Sequence, residues 1–232
     1  MQMIKEIYTL YVERWHFFLD LTWEHLQISL TSIVIATIVG LGLGIMISMY
    51  RKGSSTVLGL TNFIYTIPSI ALFGFLIPFS GIGNTTAIIA LSIYALLPMV
   101  HNTYTGIIGI DKEIIEAARG MGSTTFQILY KIQIPLAFPV ILSGIRNMVV
   151  MTIALTGIAA FIGAGGLGVA IYRGITTNNS AMTIAGSLLI ALLALLADWG
   201  VGRYEKYIKR KRKRSYKKTK TKKNKSCNVN RR

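Results

Sequence analysis

The chain has 232 residues, of which 52% are hydrophobic and only 15% charged, with a mean hydropathy of +0.52. Soluble domains carry about 25% charged residues, so this composition excludes an ordinary soluble enzyme and describes a polytopic, all-α membrane protein. A formal net charge of +16 would suit a nucleic-acid binder, but 16 of the 25 Lys and Arg lie from Arg203 onward beside a single acid, Glu205. Residues 1–202 hold nine basic and eight acidic residues, so the charge belongs to a tail and nucleic acid is not an expected partner.

Residues 1–25 mix aromatics (Tyr8, Tyr11, Trp15, Phe17, Phe18, Trp23) with Glu6, Glu13, Arg14, Asp20 and Glu24. The charges interrupt any signal-peptide core, and the mixture predicts an amphipathic segment lying at the membrane surface. His16 and His25 fall there and are read as interfacial packing residues. A body of membrane spans is expected over 26–200. Leu26–Tyr50 is uncharged and long enough to cross a bilayer. Its Gly40-x-x-x-Gly44 fits either a close helix contact or glycine merely tolerated in a span. The second span is expected over 58–79, with Pro68 and Pro78, and the third over 85–104, with Tyr94, Pro98 and His101.

No Asp, Glu, Lys or Arg occurs between Gly53 and Ile110; Asp111, Lys112, Glu113, Glu116, Arg119 and Lys131 then follow one another closely. So polar a segment must lie outside the hydrocarbon. Residues 111–135 read as two short helices joined by an elbow. Asp111 is a good N-cap with Glu113 in the first turn. Gly120 and Gly122 end the first arm, Thr124 and Gln127 open the second as a capping box, and Pro135 is expected to close it.

The fourth span is expected over 139–163, with Arg146 at its loop-side end. Phe161-Ile-Gly-Ala-Gly-Gly-Leu-Gly168 follows. It contains G-x-G-x-x-G, but no strand precedes it and no acid follows at the dinucleotide-site distance, so it reads as flexible backbone at a helix end. Ala181–Trp199 is the fifth span. Asp198, near its end, is expected to pair with a basic residue at the interface. Residues 203–232 have the composition of a disordered basic tail that suits anionic lipid headgroups. Its Cys227 is the chain's one cysteine, so there is no intrachain disulfide, and no metal site or catalytic constellation is expected. With five spans, the positive-inside rule puts Arg51, Lys52, the 111–135 loop and the C-terminus in the cytoplasm. The expected location is the cytoplasmic membrane.

Glu116-Ala117-Ala118, three residues, Gly122, nine residues, Ile132, one residue, Ile134-Pro135 resembles the EAA loop of ABC importer permeases, E-A-A-x3-G-x9-I-x-L-P, departing only at Ile134. Asn102–Gly106, EAARGMG and FIGAGGLG resemble the branch that imports osmoprotectants (glycine betaine, carnitine, choline), and the resemblance covers residues 22–200. It implies the type I importer permease fold, as in methionine importers, with about five spans and alternating access. Implied partners are an ABC ATPase subunit, a second permease subunit (homo- or heterodimer) and an extracytoplasmic substrate-binding lipoprotein. By the resemblance, Glu116, Ala117, Ala118, Gly122, Ile132 and Pro135 couple to the ATPase. The chain has no G-x-x-x-x-G-K-[ST], so ATP and Mg²⁺ are expected on the ATPase and hydrolysis is not expected here. Tyr65, Tyr94, Phe161, Gly165 and Gly166 are expected to line the translocation path. A methionine-type permease is the near alternative. An ion-coupled secondary transporter or a membrane-embedded enzyme would need convergent intramembrane acids or histidines, which the spans hardly supply.

Overall fold

A computed structural model describes residues 2–229, with side chains for all of these except Arg51 and residues 211–229. Among the described residues there are helices and turns and no strands. Four helices among the described residues are long and apolar enough to cross a membrane, and a fifth crossing is formed if one bent pair counts as a span.

The first helix, α1 (Gln2–Glu13), is followed after Arg14 by α2 (Trp15–Met49). At 35 residues, α2 is about 52 Å long, more than a bilayer's hydrocarbon needs. The boundary expected at 25/26 therefore falls inside a continuous helix, and residues 15–25 extend the first span. Leu30, Val34 and Ile38, spaced at i and i+4, are all more than half exposed and form a lipid-facing stripe. His25 lies in the packed interior, fully buried, with Nε2 3.0 Å from the Ile153 carbonyl. That contact makes Nε2 the donor. α1 folds back on the bundle, and the Tyr11 hydroxyl donates to the Ala185 carbonyl at 2.8 Å.

The expected second span is not straight. α3 (Arg51–Thr66) and α4 (Ser69–Ser80) meet at 100°. Pro68 disfavours a helical conformation at Ile67, which is extended at φ −69°, ψ 128°. The Tyr94 hydroxyl donates to the freed Ile67 carbonyl. Tyr94 belongs to α5 (Asn84–Ile108). α2 and α5 pack closely through the Gly40/Gly44 pair: a Cβ on Gly40 would stand 2.8 Å from Met99 and one on Gly44 2.5 Å from Thr103. The Gly-x-x-x-Gly spacing is a helix contact.

Beyond α5 come α6 (Lys112–Gly120), α7 (Thr125–Ile128), a π-helical turn (Leu129–Gln133) and α8 (Ile134–Thr156). Pro135 does not end the second arm. It stands in the first turn of α8, where its missing N–H is no loss. The wider turn before it, closed by Ile134 N–H to Leu129 O, lets the helix continue past the proline. A 3₁₀ turn (Ile158–Ile162), α9 (Gly168–Thr176) and α10 (Ser180–Val229) complete the chain. Of the tail expected to be disordered over 203–232, residues 203–229 continue α10, and 230–232 lie outside the described residues. Lys and Arg are good helix formers, and no Gly or Pro follows Gly202.

Candidate functional site: the loop between α5 and α8, and the polar ground above it

The loop between α5 and α8 is held by its own chemistry. Asp111 Oδ1 accepts the Glu113 N–H at 3.1 Å. At the other end of α6 the chain makes a Schellman turn. Ser123 N–H reaches Ala118 O at 3.1 Å, Gly122 N–H reaches Arg119 O at 2.9 Å, and Gly122 has φ +82°. Gly120 is thus the last helical residue, Met121 the cap, and Gly122 the left-handed residue after it. The capping box is present: Gln127 N–H donates to Thr124 Oγ1 at 3.2 Å, and Thr124 N–H donates to Gln127 Oε1 at 3.0 Å.

Glu116 and Ala117 are exposed, whereas Ala118 is 1% exposed and packs inward. One alanine, not two, faces outward. Gly122 and Pro135 are exposed and Ile132 is half-buried. Met121 (79% exposed), Phe126 (67%) and Tyr130 (67%) add a large apolar surface to the same loop. Exposed apolar patches of this size outside the hydrocarbon are, as a class, where proteins dock.

The five residues expected along the path separate. Tyr65 lines a cavity of about 280 Å³ with Asn62, His101, Asn102 and Asn147, beside the α3–α4 elbow. Its ring meets Tyr94 edge-on at 6.1 Å, and its hydroxyl donates to Met151 Sδ at 3.3 Å. Tyr94 is buried and supports the elbow. Phe161 lines a separate apolar cavity with Ile158 and Ile190. Gly165 and Gly166 lie in a clasp at the opposite end of the bundle from the loop. There Gly165 N–H donates to Asn84 Oδ1 (2.8 Å), Gly166 N–H to Glu24 Oε2 (3.1 Å), and Asn84 Nδ2 to Glu24 Oε1 (3.2 Å). A Cβ on Gly165 would overlap the Glu24 carboxylate, so the glycine is there for close approach.

Sequence reasoning alone does not single out Asn62, Asn147, Glu24 and Asn84. The signal available is an amide or acid inside or beside an apolar helix. Asp198 is paired, as expected, but with Arg146 of α8 and not with a tail residue. The guanidinium is bidentate, Nε–Oδ1 2.6 Å and Nη2–Oδ2 2.7 Å, and reaches Glu205 at 3.4 Å.

A bundle of apolar helices with a broken span, a polar cleft beside the break and a capped, exposed loop is the architecture in hand. The chain matches the family of binding-protein-dependent transport system inner membrane components over residues 32–210 and belongs to it. It is a multi-pass permease of the ABC importers. It is 40% identical over 199 residues to the carnitine transport permease protein OpuCB of Listeria monocytogenes, covering 86% of this chain and 91% of that protein. It is 40% identical over 207 residues to the glycine betaine/carnitine/choline permease OpuCD of Bacillus subtilis, covering 89% and 90%. The osmoprotectant import permease OsmW of Salmonella typhimurium is 43% identical over 202 residues, covering 82% and 94%. Among solved structures, the inward-facing MetNI methionine ABC transporter superposes with TM-score 0.76 at 25% identity, covering 82% of this chain and 95% of that one. The methionine transporter thus shares the fold, while the three permeases, more alike in sequence, are named for osmoprotectants.

Proposed function

We propose that this chain is the permease of an importer for quaternary-amine osmoprotectants, glycine betaine, carnitine or choline. The observation that carries the solute class is about 40% identity, over nearly the whole chain, to permeases named for those solutes. The loop from Asp111 to Pro135 is the seat of a separate ATPase, which holds ATP and Mg²⁺ and hydrolyses. Its exposed Met121, Phe126 and Tyr130 around Glu116 support this. The C-terminus is then cytoplasmic, and the Glu24–Asn84–Gly165 clasp faces outward, toward a separate solute-binding lipoprotein. A second permease chain, of the same or another sequence, completes the pore.

The passage runs beside the α3–α4 elbow. Non-helical backbone at membrane depth is tolerated where it is buried in protein or borders water. Asn62, Tyr65, His101 and Asn147, exposed around the cleft, are poorly suited to hydrocarbon. They suit a water-filled passage between two permease chains, with the Tyr65 ring available to a quaternary ammonium.

The test is uptake of labelled glycine betaine, carnitine, choline and methionine by cells with and without the gene. Loss of quaternary-amine uptake in the deletion, restored by the gene, is the expected result. Loss of methionine uptake alone would overturn the solute assignment and leave the permease.

A further inference from the structure

At the loop end of the bundle, α8 and α10 enclose a cavity of about 1000 Å³ whose walls include Arg146, Trp199, Arg203, Lys206, Tyr207 and Arg210. Five of these lie on one stripe of α10, at positions 199, 203, 206, 207 and 210, and Leu195 and Leu196 extend the stripe toward the membrane centre. Along the helix, the stripe passes from apolar through aromatic to cationic. Leu195 is 68% and Leu196 56% exposed, as for side chains that face lipid. Trp199 and Tyr207, also exposed, are the residue types that sit at headgroup depth.

The nearby acids are already taken. Asp198 is held bidentate by Arg146, and Glu205 is bound by Arg146 at 3.4 Å and by Lys209 at 2.5 Å. Gly202 lets α8 and α10 approach at this point: a Cβ there would lie 2.9 Å from Arg146 Cζ. Arg203 stacks over the Trp199 ring at 5.1 Å. Among the described residues, Arg203, Lys206 and Arg210 make no ion pair within 4 Å, and Lys206 acts on the Asp198 carboxylate only through its charge. Arg146, Arg203, Lys206, Lys209 and Arg210 share only Asp198 and Glu205, so the concavity keeps an excess of positive charge at the edge of the hydrocarbon, above an apolar floor.

We propose that this cavity binds an anionic phospholipid of the leaflet at the loop end. The phosphate and its anionic headgroup sit among Arg203, Lys206 and Arg210, and the acyl chains lie on Leu195 and Leu196. Trp199 and Tyr207 flank the ester region. A zwitterionic headgroup would add an ammonium to a site already rich in cations, so the site selects net negative lipid. The site is distinct from the basic segment after Arg210, whose side chains lie outside the described structure.

The test uses the full importer complex in mixed phosphatidylglycerol–phosphatidylcholine nanodiscs, with retained lipid read by native mass spectrometry after delipidation. Bound phosphatidylglycerol is expected on the wild type and on a chain truncated after Arg210. It should fall by roughly five-fold per charge removed in R203Q/K206Q/R210Q and return in R203K/R210K. Size exclusion reports whether each variant still assembles. Wild-type retention by the triple Gln variant would overturn the site. So would loss of the lipid on truncation alone, which would assign it to the distal tail. Dissociation of the permease pair in the triple variant, with lipid per chain unchanged, would make the cavity a protein interface and refute the proposal.

Discussion

Gly122 is where the coupling account can be tested with the fewest confounding effects. Its φ is +82°, and a Cβ built there meets nothing within 4 Å. A substitution therefore carries a conformational cost and no steric one. The left-handed conformation costs an L-residue about 1–2 kcal/mol, less for Asn and more for a β-branched side chain. At 1.4 kcal/mol per factor of ten, Gly122→Ala should lower the population of the Schellman turn by roughly five- to thirty-fold relative to competing loop conformations. The bonds at risk are Ser123 N–H to Ala118 O and Gly122 N–H to Arg119 O. They set the angle between α6 and α7, and so how Glu116 and Phe126 are presented together. The assay is solute-stimulated ATP hydrolysis by the reconstituted importer, normalised to permease in the membrane. Stimulation should fall in the order Gly, Asn, Ala, Val, with membrane abundance unchanged. A Val variant that couples as well as wild type would refute the reasoning.

Gly165→Ala should destabilise the Glu24–Asn84–Gly165 clasp by driving a methyl group into the Glu24 carboxylate. Typical overpacking costs about 1–3 kcal/mol. Thermal unfolding in detergent should show partial rescue by Glu24→Ala, and a double variant no more stable than Gly165→Ala would count against the clasp. Arg146→Leu leaves Asp198 unpaired at the membrane edge. With both side chains about one-third exposed (33% and 38%), we expect a lower thermal midpoint in the single variant, largely recovered in Arg146→Leu/Asp198→Leu. Equal loss in single and double variants would show that the pair does not act as a unit. For sidedness, Cys227→Ser supplies a cysteine-free background. In whole cells an impermeant maleimide should label Ile82→Cys, 75% exposed, and should label Met121→Cys only after permeabilisation. The reverse pattern would invert the topology.

The loop is legible in the sequence because its signals are local. Asp111, Thr124 and Gln127 announce helix starts by side-chain chemistry within three residues, and Gly122 supplies a conformation that other residues resist. The number of apolar crossings is also legible, since hydrocarbon thickness sets a length that composition reveals. Other features are not. Pro68 signals a break, but whether that break is a slight kink or a 100° elbow depends on Tyr94, which takes the freed carbonyl. Pro135 reads as a stop because the π-helical turn that accommodates it leaves no residue signature. The clasp joins residues 24, 84 and 165, and no pattern along the chain couples positions so far apart. Equally, Asp198 reads as paired with some basic residue at the interface, but that the cation is Arg146, brought by α8, leaves no mark along the chain.

The most direct test of coupling is a cross-link from the loop itself. Met121→Cys in the Cys227→Ser background would carry a photoactivatable maleimide in the assembled importer. An adduct with the ATPase subunit is expected, with a yield that changes between nucleotide-free and ATP-bound complexes. An efficient adduct with any other subunit, and none with the ATPase, would contradict the coupling.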